Sequence, residues 1–406
     1  MLQRIQKISV FAALFLATAL PSRAQALSEE YLRDGIAFLS SDLCTGRASG
    51  SVGALEAAAW VRRQFVGAGL TLMGSDGVQT FRVPLKATSA LAPAQDTPML
   101  QYEAQPLDSA AFCLAVPAGI PRPAAAPSKG KTPAHISLPP SELCRIANSN
   151  SSQCAPAPTG FEKPKREPFE TGSVLGRNVL GMMSGTGDKY VILAAHYDNL
   201  GVLSGKMYRG ADSNASGVTA LTALARDLCA SGRKYSVNII FVGLDAKQLN
   251  LAGSQELYRS IAEGRLKDPL TGKAITKDKV ALFINMDILG STQSPLHSVK
   301  SDYLIMLTPE PQLYKDDIRR LSRSNDFYLD LAFDYYGSKG FTEMFLRRVS
   351  DQRPFLEGGV PSIMFTSGIT METNKVGDVL EGVDIPIMCR RTRLIYLWLD
   401  EYLKKL

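Results

Sequence analysis

The sequence predicts an α/β fold, a three-layer α/β/α sandwich with a mixed, mostly parallel central sheet. Seven short segments between residues 178 and 366 are almost continuously apolar, and helical segments separate them. Strands of this kind are typical of a parallel sheet that helices cover on both faces. Histidine and aspartate residues follow directly after two of these strands, which is where ligands bind in open α/β sheets.

The predicted strands are short and rich in branched and aromatic residues. They are Asn178–Met183, Tyr190–Ala195, Val237–Leu244, Ala281–Met286, Tyr303–Thr308, Tyr328–Phe333 and Ser362–Thr366. Amphipathic periodicity predicts helices over Tyr31–Leu39, Val52–Ala68, residues 217 to about 230, and Ile387–Lys404.

The first 26 residues have the pattern of a cleaved secretory signal. Arg4 and Lys7 precede an apolar run from Ile8 to Leu20, and Ala24-Gln-Ala26 offers a cleavage site. We therefore expect a secreted or periplasmic protein that is cleaved after Ala26. The apolar run is too short to span a bilayer comfortably, so no membrane span is predicted. The net charge of +6, half of it in the leader, is too small to favour a nucleic-acid partner.

Composition divides the mature chain into three parts. Residues 27–90 are the helical N-terminal part, and residues 171–406 are the main α/β/α part. Residues 91–170 hold most of the 23 prolines and show little periodicity, which indicates an inserted segment or lid. A disordered surface loop is an equal alternative for Pro117–Pro133.

The six cysteines are compatible with disulfides in an oxidising compartment. Cys144 and Cys154 flank a polar turn, and we predict that they form a disulfide. Cys229 lies on an apolar helix, where we expect a buried free thiol.

The stretch from Leu193 to Val218 contains the candidate site. The strand Tyr190–Ala195 leads directly to His196 and Asp198, and a glycine-bounded turn places Asp212 just before the helix that begins near residue 217. An imidazole and carboxylates that converge at one strand end could hold a divalent metal ion. A structural histidine with satisfied hydrogen bonds is the alternative for His196.

Ala195-His-Tyr-Asp198 and Gly210-Ala-Asp-Ser-Asn-Ala-Ser-Gly217 resemble motifs of the co-catalytic zinc exopeptidases. That family includes bacterial leucine aminopeptidases, aminopeptidase Y and glutamate carboxypeptidase II, with glutaminyl cyclase as a one-metal cousin. The resemblance implies that His196, Asp212 and Asp287 are ligands of one metal ion. It further implies that Asp198 holds the His196 ring.

The same resemblance exposes substitutions at the other site positions. Lys247 stands where the family has its general-base glutamate, and Gln248 stands at the metal-binding glutamate. Asn374 stands at the distal ligand histidine, and Gln352 at a histidine on the substrate side. A protonated lysine has no acceptor, so it cannot take a proton from a water molecule. We expect the Lys247 ammonium to replace the missing metal as the electrostatic partner of Asp198, Asp212 and Asp287.

The sequence thus predicts a secreted pseudo-peptidase of the zinc aminopeptidase type that binds a peptide or protein in the inherited cleft. At most one weak zinc site is expected, at His196, Asp212 and Asp287. One alternative is a metallo-aminopeptidase, or a related amide hydrolase, that keeps this zinc; Lys247 would then need a depressed pKa to act as a base. Another alternative is an interaction protein that uses the proline-rich insertion.

Overall fold

The computed structural model describes residues 27–74, 76–84, 173–292, 302–335 and 337–406. The predicted signal and the whole of the predicted insertion, which includes the Cys144–Cys154 pair, lie outside these residues. In the described part the strands are β1 Thr71–Leu72, β2 Val78–Pro84, β3 Ser173–Met183, β4 Tyr190–His196, β5 Gly201–Leu203, β6 Lys206–Tyr208, β7 Asn238–Leu244, β8 Val280–Met286, β9 Tyr303–Leu307, β10 Asp330–Ala332 and β11 Ser362–Thr366.

The helices of the described residues are α1 Glu29–Leu39, α2 Val52–Ala68, α3 Gly217–Ala230, α4 Ala252–Ala262, α5 Lys315–Ser324, α6 Lys339–Arg347, α7 Arg353–Glu357 and α8 Ile385–Lys405. Four of these eight helices, α1, α2, α6 and α8, begin with a side-chain cap of the usual kind. The Ser28 side chain accepts a hydrogen bond from the Tyr31 N–H at the start of α1, and Asp384 does the same for Ile387 at the start of α8.

The central sheet has the order β1-β3-β7-β4-β8-β11-β9-β10, and β2 also pairs with β3. Parallel pairing joins β7, β4, β8 and β11 in the middle, and β10 is parallel to β9. Strands β1, β2 and β7 are antiparallel to β3, and β9 is antiparallel to β11. The sheet is therefore mixed, with its parallel part at the centre.

Helices cover both faces of the sheet. On one face, Ile192, Val242 and Phe283 belong to a buried cluster that includes Leu257 of α4 and Phe355 of α7. On the other face, Phe65 of α2 contacts Phe241, and Trp398 of α8 contacts Phe365. Every residue of β4 and β7 is buried, as expected for central strands that are covered on both sides. The predicted fold class is confirmed.

The structure differs from the sequence prediction mainly at the edges of the sheet. Thr71–Leu72 and Val78–Pro84 fall in the part predicted to be helical, but they form β1 and β2 against β3. Strand β10 is shorter than predicted because Tyr328 is exposed and has a left-handed backbone, with φ of 50°. Cys229 is a free thiol as predicted, but it is half-buried rather than buried.

Within the described residues, no helix is both long enough and apolar enough to cross a membrane.

Candidate functional site

Three neighbouring parallel strands bring the central residues of the site together. His196 is the last residue of β4, Lys247 follows β7 and Asp287 follows β8. Because β4 lies between β7 and β8 and is parallel to both, the residues at their carboxyl ends meet at one edge of the sheet.

The Asp287 carboxylate accepts hydrogen bonds from three side chains. Lys247 Nζ lies 3.1 Å from Oδ2 and 3.4 Å from Oδ1, and the Ser350 hydroxyl donates to Oδ2 at 2.5 Å. His196 Nε2 lies 3.3 Å from Oδ1. Burial disfavours the ionised carboxylate, but Lys247 and His196 outweigh it and hold the pKa of Asp287 well below its usual range. Asp287 is therefore ionised and has a full set of donors.

Lys247 is a cation in this setting. Burial lowers the pKa of its ammonium, but the Asp287 and Asp351 carboxylates outweigh burial, so the pKa lies above its usual value. A base at this position would need the opposite shift. The surroundings of Lys247 therefore favour the protonated ammonium over the depressed pKa that a general base would need.

Asp198 anchors the chain that carries Lys247. Its two carboxylate oxygens accept the backbone N–H groups of Lys247 and Gln248, both at 3.0 Å. His196 Nδ1 lies 3.0 Å from the Asp198 backbone carbonyl and 3.5 Å from its carboxylate. Burial and Lys247 lower the pKa of His196, but the hydrogen bonds with Asp198 and Asp287 raise it to about 9. The implied contact between Asp198 and His196 is present, and the shorter of its two distances is to the backbone carbonyl.

Asp212 belongs to a second hydrogen-bonded group, whose partners differ from those of Asp287. Its Oδ1 accepts hydrogen bonds from the Gly290 N–H at 2.7 Å and the Ser216 hydroxyl at 3.0 Å. The Asp378 carboxylate accepts the backbone N–H groups of Asp212 and Ser213 at 2.7 and 3.0 Å. Burial, with a smaller contribution from Asp378, raises the pKa of Asp212 to about 7.

Arg47 connects the two groups through the backbone. Its fully buried guanidinium donates to the carbonyls of Tyr197 at 2.6 Å, and of Arg209 and Gly210 at 2.7 Å each. Tyr197 follows β4, and Gly210 precedes Asp212. One side chain thus fixes both the His196 strand end and the turn that carries Asp212.

Among the described residues, the side chains at the remaining predicted positions make no hydrogen bond with His196. The Gln248 side chain has a buried Nε2 without a hydrogen-bond partner in the described residues. Asn374 is exposed, with a left-handed φ of 59°, and its side chain forms no hydrogen bond with described members of the site. Gln352 is buried and structural, because its Nε2 donates to the carbonyls of Phe345 and Leu346 at 2.6 and 2.9 Å.

A comparison with protein-family models gives one match, to peptidase family M28, over residues 178–381. This segment is half of the chain and contains both groups of site residues. The chain belongs to peptidase family M28. A search of curated proteins found no match.

Solved structures with the same fold include several M28-like enzymes. The Bacillus subtilis zinc aminopeptidase matches with 17% identity and a TM-score of 0.57, covering 94% of this chain and 97% of the enzyme. An aminopeptidase from Aneurinibacillus sp. strain AM-1 matches with 15% identity and a TM-score of 0.54, over 93% and 96% of the two chains. Porphyromonas gingivalis glutaminyl cyclase matches with 13% identity and a TM-score of 0.54, over 93% and 100%. At these identities the likeness establishes the fold alone.

Two residues of this M28 site were not assigned a role from the sequence. Ser350 donates to Asp287, and Asp351 beside it is fully buried. Burial raises the pKa of Asp351 to about 6, although His196 and Lys247 oppose the rise. Neither of its oxygens accepts a well-formed hydrogen bond, because the Ser254 hydroxyl beside it donates to the Leu251 carbonyl at 3.1 Å. The sequence signal that could have identified Ser350 and Asp351 is their position immediately before Gln352.

The zinc ions of M28 relatives provide a test of the donor set. In the part of the chain that the structure describes, no group of three or more histidine, cysteine, aspartate or glutamate side chains is placed to hold a metal ion. His196 and Asp287 lie together, but Lys247 contacts Asp287, and one Asp212 oxygen, Oδ1, accepts hydrogen bonds from Gly290 and Ser216. As placed, these residues do not fit a zinc ion.

Proposed function

We propose that the protein is an M28 homologue that binds a peptide or protein at the carboxyl ends of the central strands without hydrolysing it. The observation that carries the proposal is the ion pair between Lys247 and Asp287, at 3.1 Å. In the zinc exopeptidases that this chain resembles, the position equivalent to 247 holds a glutamate, which takes a proton from the attacking water. Here the Lys247 cation occupies that position. Asp287, which the resemblance makes a metal ligand, neutralises it.

The chemistry of the site supports the lack of hydrolysis. Peptide hydrolysis requires an activated water and a group that accepts its proton. Lys247 holds its proton more firmly than an ordinary lysine, and Gln248 has no ionisable group. Asp287 is ionised, but Lys247, Ser350 and His196 use its oxygens.

The retained hydrogen-bonding groups support binding. Lys247 keeps 16% of its side chain exposed, so a ligand at the strand ends can contact this side chain. Gln248 Nε2 and the Asp351 oxygens lack well-formed hydrogen bonds in the described residues, but they are buried, so the binding proposal depends on Lys247. A peptide chain offers carbonyl oxygens, which are acceptors for a lysine ammonium.

The test combines binding and turnover on the same preparation. Peptides selected from a random library by capture on the purified protein should bind, and Lys247→Ala should weaken that binding by tenfold or more, whereas Lys279→Ala should leave it unchanged. Aminoacyl-nitroanilides should release no nitroaniline above a protein-free blank, with or without added zinc. Zinc-dependent release that Asp287→Asn abolishes would instead identify a metallo-aminopeptidase or related amide hydrolase that keeps one zinc at His196, Asp212 and Asp287.

The proline-rich segment gives a separate candidate, an interaction protein that binds through Pro117–Pro133. These residues lie outside the described part of the chain, so the composition is its only support. A pull-down that loses its partner when these residues are deleted, and keeps it in Lys247→Ala, would favour this candidate.

We further propose that the protein is exported and cleaved after Ala26. The packing of the next residue supports this boundary, because Leu27 is 1% exposed and its carbonyl accepts hydrogen bonds from Arg393 at 3.0 and 3.1 Å. The N-terminal sequence of protein recovered from the periplasm or medium should begin at Leu27. Recovery of uncleaved protein in the cytoplasm alone would contradict export.

A further inference from the structure

We propose that the Lys247 ammonium is a built-in cation that takes the place of a divalent metal ion at His196 and Asp287, and that removing it uncovers a latent zinc site. The inference concerns metal binding and does not depend on whether the cleft binds a peptide. It follows from the mismatch between this donor set and the zinc of the family.

The geometry shows that Lys247 occupies the ligand atoms that a metal would need. Its Nζ approaches both oxygens of Asp287, at 3.1 and 3.4 Å. His196 Nε2, the nitrogen left free by the contact between Nδ1 and Asp198, is directed at the same carboxylate, at 3.3 Å. The two side chains on which a metal ion would depend are thus bonded to each other, and Asp287 is also paired with an ammonium.

Burial of the site strengthens the effect of having an ammonium in the place of a metal ion. His196 is fully buried, Asp287 is 5% exposed, and Asp198 is fully buried behind them. Carboxylates held together in such surroundings need a nearby positive charge, which is costly to omit. A lysine supplies that charge from within the chain, and a zinc ion could enter only by displacing it and its hydrogen bonds.

Other oxygen donors remain for a metal once the ammonium is gone. Asp212 Oδ2 and both oxygens of Asp351 are buried and lack hydrogen-bond partners of good geometry in the described residues. Asp351 interacts electrostatically with both His196 and Lys247, which places it beside the pair. We therefore expect His196 and Asp287 to be joined by one of these carboxylates, completing the three protein ligands of a typical open zinc site.

The experiment measures the melting temperature of the purified protein with excess ZnCl₂ and with EDTA. In the parent and in Lys247→Arg, which keeps the charge, the two temperatures should agree. In Lys247→Met, which keeps most of the volume but not the charge, zinc should raise the melting temperature by about 2 °C or more. Adding Asp287→Asn to Lys247→Met should abolish this response, whereas adding Asp188→Asn, at an exposed acid, should not.

Three results would overturn the inference. One is a Lys247→Met protein that folds and does not respond to zinc. Another is a parent that responds as strongly as Lys247→Met, even if peptides bind to it without turnover. The third concerns a Lys247→Met protein that does not fold without zinc. Zinc should restore its cooperative melting. The inference fails if zinc does not restore it although the double variant, Lys247→Met with Asp287→Asn, folds.

Discussion

The Lys247→Met substitution should destabilise the protein strongly, because it breaks a buried ion pair. The two side chains are 16% and 5% exposed, and their charged atoms lie 3.1 Å apart. Removal of one partner from a buried pair costs about 3 to 5 kcal/mol, because the other charge stays buried without compensation. Ser350 and His196 continue to donate to Asp287, so we expect the lower end, about 3 kcal/mol.

The chain offers a matched control at Lys279. Its Nζ lies 3.1 Å from Asp188, the same distance as in the central pair, but the side chains are 32% and 80% exposed. Exposed pairs of this kind contribute about 0 to 1 kcal/mol. Lys279→Met should therefore cost under about 1 kcal/mol, which isolates burial as the cause of any difference.

Equilibrium unfolding in urea, at the same pH for all variants, gives the comparison. Lys247→Met, Asp287→Asn and the double variant form a cycle in which the double variant should be more stable than the sum of the single losses predicts, by about 1 to 3 kcal/mol. The reasoning fails if Lys247→Met costs no more than Lys279→Met, or if the two central substitutions are additive.

Three further predictions concern other residues. Burial raises the pKa of Asp351 to about 6, above its unfolded value of about 3.9, so stability should fall as the pH rises between these values. Asp351→Asn should then be more stable than the parent by about 1 to 3 kcal/mol at about pH 7 and no more stable below about pH 4; equal urea midpoints at both would contradict this. Lys247→Glu with Gln248→Glu should bind zinc more tightly in isothermal titration, and Asn374→His should add little because Asn374 is exposed; no gain from the double change would show that positions 247 and 248 are misassigned. Peptide mapping without reductant should find Cys144 bonded to Cys154, a link expected to stabilise by roughly 2 to 3 kcal/mol; two free thiols would remove it.

The central strands could be predicted from the sequence because burial on both faces leaves an apolar run. Strands β4 and β7 are such runs, and the motif at the end of β4 identified His196 and Asp198. The convergence of Lys247 and Asp287 also followed, since parallel strands align their carboxyl ends. Strands β1 and β2 were missed because edge strands that are half exposed lack the apolar run.

The spacing of residues in the sequence could not predict which groups hydrogen-bond to each acidic residue of the site. Asp212 is held by the Gly290 N–H, which donates to its carboxylate, and by Asp378, far along the chain, which accepts its backbone N–H. Its role as a ligand beside His196 stays a prediction. Asn374 was assigned by its place in a motif order, and a turn with left-handed backbone leaves it exposed. Long-range hydrogen bonds to the backbone decide such positions, and a single sequence does not encode them as a pattern.

The number of zinc ions per chain tests most directly the claim that Lys247 stands in the place of the metal. Zinc should be counted by mass spectrometry of the elements, both in protein purified without added metal and in protein dialysed against zinc and then buffer. We predict well under one zinc ion per chain in both samples, and a clear increase in Lys247→Met. Two zinc ions per chain at full occupancy in the parent would contradict the account.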